Sequence, residues 1–294
     1  MEEKFNPETT ITDFPKEEII LGIDEAGRGP VMGPMVYACA YWSKKNDLNI
    51  RKYFKFDDSK KLKAETREKM FNEILKYPNL IRFEKIEISP KELSTQMLLR
   101  TKTSLNQISQ NAAARLISIA KSKGANIKGV FVDTVGNPIQ YKELLERKIK
   151  DPEIEVVVES KADARYACVS AASIIAKVTR DHCIAEWVFI EKDINDRKFG
   201  SGYTSDPYTV KWLKRNYNSI FGYPDFIRFS WKTIKTLFKD NVDQCEWDNY
   251  TEEDDSYHYK KKNLEENQPQ ISFEKQKPQM NIYDEIKVSV EVDL

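Results

Sequence analysis

The sequence of 294 residues predicts an α/β domain built on a mixed sheet flanked by helices. Short apolar runs alternate with stretches of helical periodicity, a pattern that calls for strand–helix crossovers. The first two apolar runs are separated only by a Gly- and Pro-rich stretch, as in a hairpin. Acidic residues stand at or just after the ends of three of the strand-like runs. Hydrophobic residues make up 40% and charged residues 32%, enough apolar content for a core and too much charge for a membrane protein. At roughly 100–200 residues per domain, the length admits one large domain or two smaller ones. The longest apolar run, near Val31–Trp42, is broken by Gly33 and Pro34 and falls short of the ~18 residues of a membrane span. The opening MEEKFNPETT lacks the apolar region of a secretory signal.

In chain order, residues 18–23 form an apolar run that stops at Asp24, and residues 35–42 form a second. Between them DEAGRGPVMG reads as a loop or turn. Residues 64–77 carry helical spacing through Met70, Phe71, Ile74 and Leu75, and residues 84–88 alternate as a strand does. Residues 103–122 repeat apolar side chains at helical intervals (Leu105, Ile108, Ala112, Leu116, Ile119), with Gly124 as the stop. Gly129–Val132 is a buried strand running into Asp133, residues 138–149 a short helix, and residues 154–158 another strand. The Ala-rich stretch 164–190 reads as one long helix. Past Gly200-Ser201-Gly202 the chain turns aromatic and basic, with helix patterns at 207–217 and 230–240.

Charge is segregated along the chain. The 47 basic and 47 acidic residues cancel, yet from Asn241 onward 14 acids face 6 bases, leaving +8 on residues 1–240. The polar tail cannot bury enough apolar surface to offset chain entropy and is expected to be largely disordered. It reads either as a solubilising tail or as a partner-binding one, and its end, IYDEIKVSVEVDL, has the alternation of a strand that adds to a partner's sheet. A positive excess on the body fits a polyanionic partner, since phosphate neutralisation gives sequence-independent affinity.

The four cysteines form no CxxC pair, and only His182 and His258 supply imidazoles, so acid–base or metal chemistry falls to carboxylates. His182 and Cys183 read as packing or surface residues. Asp24-Glu25, Asp133 and Asp163 occupy equivalent strand-end places, where open α/β sheets bind ligands. Singly, each suits an N-cap or an exposed turn. Together, with so little histidine, they point to hard, oxygen-ligated cations, Mg²⁺ or Mn²⁺, which in pairs can drive phosphodiester cleavage. Glu25 follows Asp24 directly, so both can point inward only through a bulge or loop, unless Glu25 contributes its backbone carbonyl. Gly27-Arg28-Gly29 comes next, where glycines admit backbone N–H groups close to a ligand and the Arg can fork onto phosphate or sugar oxygens.

The stretches GIDEAGRGPVMGPMVYACAYW, DDSKKL, VDTVG, KADARYACVSAASIIAKVTRD and FGSGYTSDP resemble type 2 ribonuclease H (ribonuclease HII), in order across nearly all of residues 18–240. The later FGYPDFIRFSWKT resembles the catalytic subunit of the eukaryotic enzymes rather than the bacterial version. The resemblance implies a ribonuclease H-like core. The chain then divides into an N-terminal arm (1–17), catalytic core (18–195), helical C-terminal extension (196–240) and acidic tail (241–294). It further implies cleavage of the RNA strand of RNA/DNA hybrids and incision 5′ of single ribonucleotides in duplex DNA, leaving 3′-hydroxyl and 5′-phosphate ends. The accompanying roles are ribonucleotide and RNA-primer removal in the nucleus, with cytoplasm as a second location.

The family's four metal-binding carboxylates fall on Asp24, Glu25, Asp133 and Asp163, for one or two Mg²⁺ or Mn²⁺ ions. Its ribose-contacting GRG loop falls on Gly27, Arg28 and Gly29, its junction-sensing tyrosine on Tyr203, and a phosphate-contacting lysine on Lys60. Lys161 is assigned a phosphate contact by its place beside Asp163. Read without the family, Tyr203 is a loop tyrosine and Lys60 one of several solvated lysines. Eukaryotic relatives work with two accessory subunits, which implies a heterotrimer. The alternatives are a non-catalytic nucleic-acid-binding protein of the same fold, opposed by the intact carboxylates, and a nuclease of the same fold with another substrate, opposed by GRG and GSGY together.

Overall fold

Alternation along the first strand decides what each face of the sheet carries. The computed structural model describes residues 5–56, 62–191, 194, 196–218 and 221–238, all within one unit spanning Met1–Asp243. In order they form β1 (Ile19–Ala26), β2 (Met35–Ser43), α1 (Asp47–Phe54), α2 (Ala64–Leu75), β3 (Arg82–Ile88), α3 (Pro90–Leu98), α4 (Leu105–Ser122) and β4 (Ile127–Asp133). Then come α5 (Pro138–Ile149), β5 (Glu155–Glu159), α6 (Ala162–Arg165), α7 (Ala167–Ala185), α8 (Pro207–Arg215) and α9 (Lys232–Phe238). The sheet order is β3-β2-β1-β4-β5. The β3-β2-β1 half is antiparallel and the β1-β4-β5 half parallel, the expected mixed sheet. The acidic tail lies outside the described residues.

Odd residues of β1 (Ile19, Leu21, Ile23) pack with Tyr37, Cys39, Tyr41, Val130 and Val132 under α4 and α5. Even residues face the other way: Ile20 and Ala26 join Val36, Ala38, Ala40 and Trp42 under α1, α2 and α7. Gly22 lies on this second face, where a Cβ would come within 2.2 Å of the Cys168 carbonyl carbon. Glycine there lets the α7 backbone lie directly on β1. A third cluster joins Val31 and Met32, from the β1–β2 loop, to Trp212, Leu213, Phe226, Ile227 and Ile234 of the C-terminal extension.

Several elements differ from the sequence reading. β1 runs through Asp24 and Glu25 to Ala26 because its ladder with β2 continues, pairing Ala26 with Val36 beyond the last consecutive apolar residue. The single helix expected over 164–190 is two. Tyr166 takes extended φ/ψ (−110°, 121°) between α6 and α7, its ring stacked on Phe131 at 4.3 Å. α7 ends at Ala185, and Trp187 and Phe189, which would have continued the helix, are drawn into the third cluster. α1 and α3 are additional to the elements that periodicity predicts. α3 carries an ordinary start signal, Ser89-Pro90, with the Ser89 hydroxyl accepting from the Glu92 N–H at 3.0 Å. Among the described residues no helix is long and apolar enough to cross a membrane.

Candidate metal and nucleic-acid site

Asp24, an even residue of β1, points to the α7 face and is 4% exposed. β1 and β4 pair in parallel as far as Ile23 and Val132, so Asp24 and Asp133 extend one step beyond that ladder. With Val130 and Val132 on the α4 face and Phe131 packed on the other, alternation puts Asp133 on the α7 face beside Asp24. Burial pushes the Asp24 carboxyl up to about 7, and the negative Asp133 adds to that rise, while a Ser173 hydrogen bond and the Lys177 charge oppose it. Ser173 and Lys177 sit one turn apart on α7, with Lys177 Nζ donating to Ser173 Oγ at 2.7 Å. The Glu25 N–H donates to Asp24 Oδ1 at 2.8 Å, and the Ala162 N–H to Asp133 Oδ1 at 3.3 Å. The second contact draws α6, and with it the buried Asp163, to the end of β4.

Glu25 takes the opposite face. The β1–β2 register is unbroken from Ile19↔Ser43 to Ala26↔Val36, with Glu25 opposite Tyr37. The bulge that would turn Asp24 and Glu25 the same way does not form. Glu25 instead neighbours the buried Tyr37 and Tyr141 hydroxyls, whose ionisation is driven upward by burial and then by the Glu25 charge. Accordingly, among the described residues no group of three or more His, Cys, Asp or Glu side chains is arranged to hold a metal ion. The donor chemistry that fits a divalent cation is that of the Asp24–Asp133 pair, two hard oxygen donors whose mutual repulsion a cation relieves.

The loop after β1 is held by arginines. Gly27 has φ +77°, and a Cβ there would lie 2.0 Å from Arg180 Nε. Arg180 donates to the Pro34 and Met32 carbonyls at 3.1 and 3.2 Å. Arg228, fully buried in the extension, donates to the carbonyls of Gly33 (2.8 Å), Arg28 (3.1 Å) and Gly27 (2.6 Å), and Trp231 Nε1 to that of Gly29 (2.9 Å). The Arg28 side chain reaches α4, donating through Nη1 to Ser109 Oγ at 2.8 Å and through Nη2 to Asn106 Oδ1 at 2.5 Å. The Gly202 carbonyl accepts from the Val31 N–H at 2.8 Å. This brings the half-exposed Tyr203 over Gly29, whose Cβ would meet the ring at 3.0 Å.

The structure thus sets Gly27 against Arg180 of α7, the helix that covers Asp24, brings Tyr203 over Gly29, and sends the Arg28 side chain to α4. Lys161 is exposed in the left-handed conformation (φ 60°) at the start of α6. Lys60 lies outside the described residues. His182 pairs with Glu68 at 3.0 Å on α2, and Cys183 contacts Glu87 at 3.3 Å, both as surface or packing residues. Sequence reasoning did not find Asn106, Ser109, Ser173, Lys177, Arg180 or Arg228. Spacing three or four apart on α4 and α7 is a signal for the first four. Nothing local marks Arg228 as a buried clamp on a loop about 200 residues earlier in the chain.

A family model described as ribonuclease HII matches residues 21–234. The A subunit of ribonuclease H2 from Bos taurus is 43% identical over 237 residues, covering 79% of this chain and 77% of that protein. Among solved structures, the ribonuclease H2 of Pyrococcus horikoshii OT3 aligns with a TM-score of 0.62 at 33% identity, over 74% of this chain and 96% of that one. The PCNA:RNase HII complex of Archaeoglobus fulgidus gives 0.60 at 35%, over 73% and 95%.

Proposed function

We propose that this chain, which belongs to the ribonuclease HII family, cleaves the RNA strand of RNA/DNA hybrids and incises duplex DNA on the 5′ side of single ribonucleotides. The ends left are a 3′-hydroxyl and a 5′-phosphate. The observation that carries this is the junction of two devices on one strand end. The buried Asp24 carboxylate, with the half-buried Asp133 beside it, stands next to a glycine-lined loop with Arg28 and Tyr203 beside it. Such a loop can approach a ribose closely enough to sense its 2′-hydroxyl, the group that separates RNA from DNA.

Asp24 and Asp133 are the residues that would hold a divalent cation, Mg²⁺ or Mn²⁺, with Asp163 brought near by α6 and Glu25 next in the chain on the opposite face of β1. Bound there, one or two such ions would supply an activated water and would neutralise charge on the leaving 3′ oxygen. The chain's own groups do the rest. Ser173 and Lys177 hold the Asp24 carboxylate in place, and no histidine base is called for. Gly27 and Gly29 bring backbone to the sugar, Arg28 offers its guanidinium to phosphate or sugar oxygens, and the Tyr203 ring stands where the ribonucleotide meets DNA. Lys161 and Lys60 supply phosphate contacts.

The function serves removal of ribonucleotides from DNA and of RNA primers in replication and repair, in the nucleus and also the cytoplasm. The bovine relative is one subunit of ribonuclease H2, which supports assembly with two accessory subunits into a heterotrimer. The test is cleavage of matched duplexes, one all DNA and one with a single ribonucleotide, with the product ends identified. Cutting confined to the 5′ side of the ribonucleotide is expected. Equal cutting of both duplexes would reject the reading.

A further inference from the structure

The first turns of α4 are built as an anchor for Arg28. Ser104 and Gln107 form a complete capping box at its N-terminus, the Ser104 hydroxyl accepting from the Gln107 N–H at 3.2 Å and the Gln107 side chain from the Ser104 N–H at 2.9 Å. Ile108, Ala112 and Leu116 bury the helix against the sheet. Asn106 and Ser109, three residues apart, therefore stand on one rigid face. They take the two terminal nitrogens of Arg28 separately, at 2.5 and 2.8 Å. This fixes the plane of the guanidinium and leaves its other N–H groups available to a ligand.

Both anchors also touch the parts of the site that carry the carboxylates. Ser109 is fully buried beside the Tyr37 hydroxyl, which faces Glu25 across the β1–β2 ladder. The Asn106 amide fits against Gly136 in the loop that follows Asp133, where a Cβ would meet Asn106 Nδ2 at 3.1 Å. The helix start thus bridges the Asp133 loop, the Arg28 side chain and the Glu25 strand.

We propose that Asn106 and Ser109 are positioning residues that pre-set Arg28 for the ribonucleotide, so that discrimination between ribo- and deoxyribonucleotides depends on them through Arg28. The inference rests on the reading of this site as a ribonuclease H site. The experiment is equilibrium binding of the full chain, without divalent ions, to a duplex with a single ribonucleotide and to the matched all-DNA duplex. The chains compared are native, Asn106→Ala, Asn106→Asp, Ser109→Ala, Arg28→Ala and the Arg28→Ala/Asn106→Ala double variant, with thermal melting of each.

Asn106→Ala is expected to lower the ribo/deoxy affinity ratio by roughly tenfold, the scale of one charge-assisted hydrogen bond. Ser109→Ala should act alike, and Asn106→Asp, which keeps the acceptor, should retain the native ratio. In the Arg28→Ala background, Asn106→Ala should change nothing further, the signature of action through a shared partner. Asn106 is exposed, so its variant tests the proposal even if Ser109→Ala unfolds. An unchanged ratio, or additive losses in the cycle, overturns the proposal while native discrimination leaves the functional reading standing. No discrimination by the native chain overturns both.

Discussion

A carboxylate buried beside another carboxylate costs the fold free energy until a cation compensates it. Asp24 is in that position, its carboxyl raised from 3.8 to about 7, first by burial, with Asp133 adding to it. A raised folded value means that the native state keeps a proton the unfolded chain has already lost. In the ion-free protein this contribution to stability is present at low pH and is lost as pH rises from about 4 to about 7. A bound divalent cation removes the penalty, so the gain in Tm on adding Mg²⁺ should be larger at pH 8 than at pH 5. Equal gains at both would show that the ion binds elsewhere. By the same reasoning Asp24→Asn should raise the ion-free Tm at pH 8 while abolishing cleavage. The acids and the GRG loop were legible in the sequence because each stands where a strand-like run ends. The facing of Glu25 was not, since only the uninterrupted β2 ladder decides it.

The elements that place the site do so through two close approaches. Gly22 lets α7 lie on β1, which brings Ser173 and Lys177 to Asp24. Gly22→Ala would press a methyl into the Cys168 backbone, and should cost about 3 kcal/mol or more in chemical denaturation. Arg228 closes the other side by donating to three carbonyls of the 27–33 loop. Arg228→Met leaves those carbonyls without their buried donor, and a loss of about 3 kcal/mol or more is expected. A loss under ~0.5 kcal/mol, within the range of an ordinary surface substitution, would mean the clamp is incidental. Apart from α1 and α3, strand and helix order was readable from periodicity, whereas the break at Tyr166 was not. It depends on stacking against Phe131, a contact that the Ala-rich pattern of 164–190 does not encode.

For the whole molecule, the formal charge of zero divides into +8 on residues 1–240 and −8 on the remainder. Several of the body's acids are concentrated at the site itself, which leaves the rest of its surface still more basic. Duplex binding by the ion-free protein should therefore weaken with salt, by roughly tenfold or more between 50 and 200 mM. A flat salt response would remove phosphate contact as the source of affinity. The central claim is that Asp24 and Asp133 hold the cation with which this chain cuts at a ribonucleotide. It is tested most directly by cleavage of a single-ribonucleotide duplex by the native chain and by Asp133→Asn, each with Mg²⁺ and with chelator. Cutting by the native chain only when Mg²⁺ is present is expected, with a drop of roughly 10²-fold or more in the variant, the scale of losing one electrostatic stabiliser. Undiminished cleavage by Asp133→Asn, or cleavage by the native chain in chelator, would contradict it.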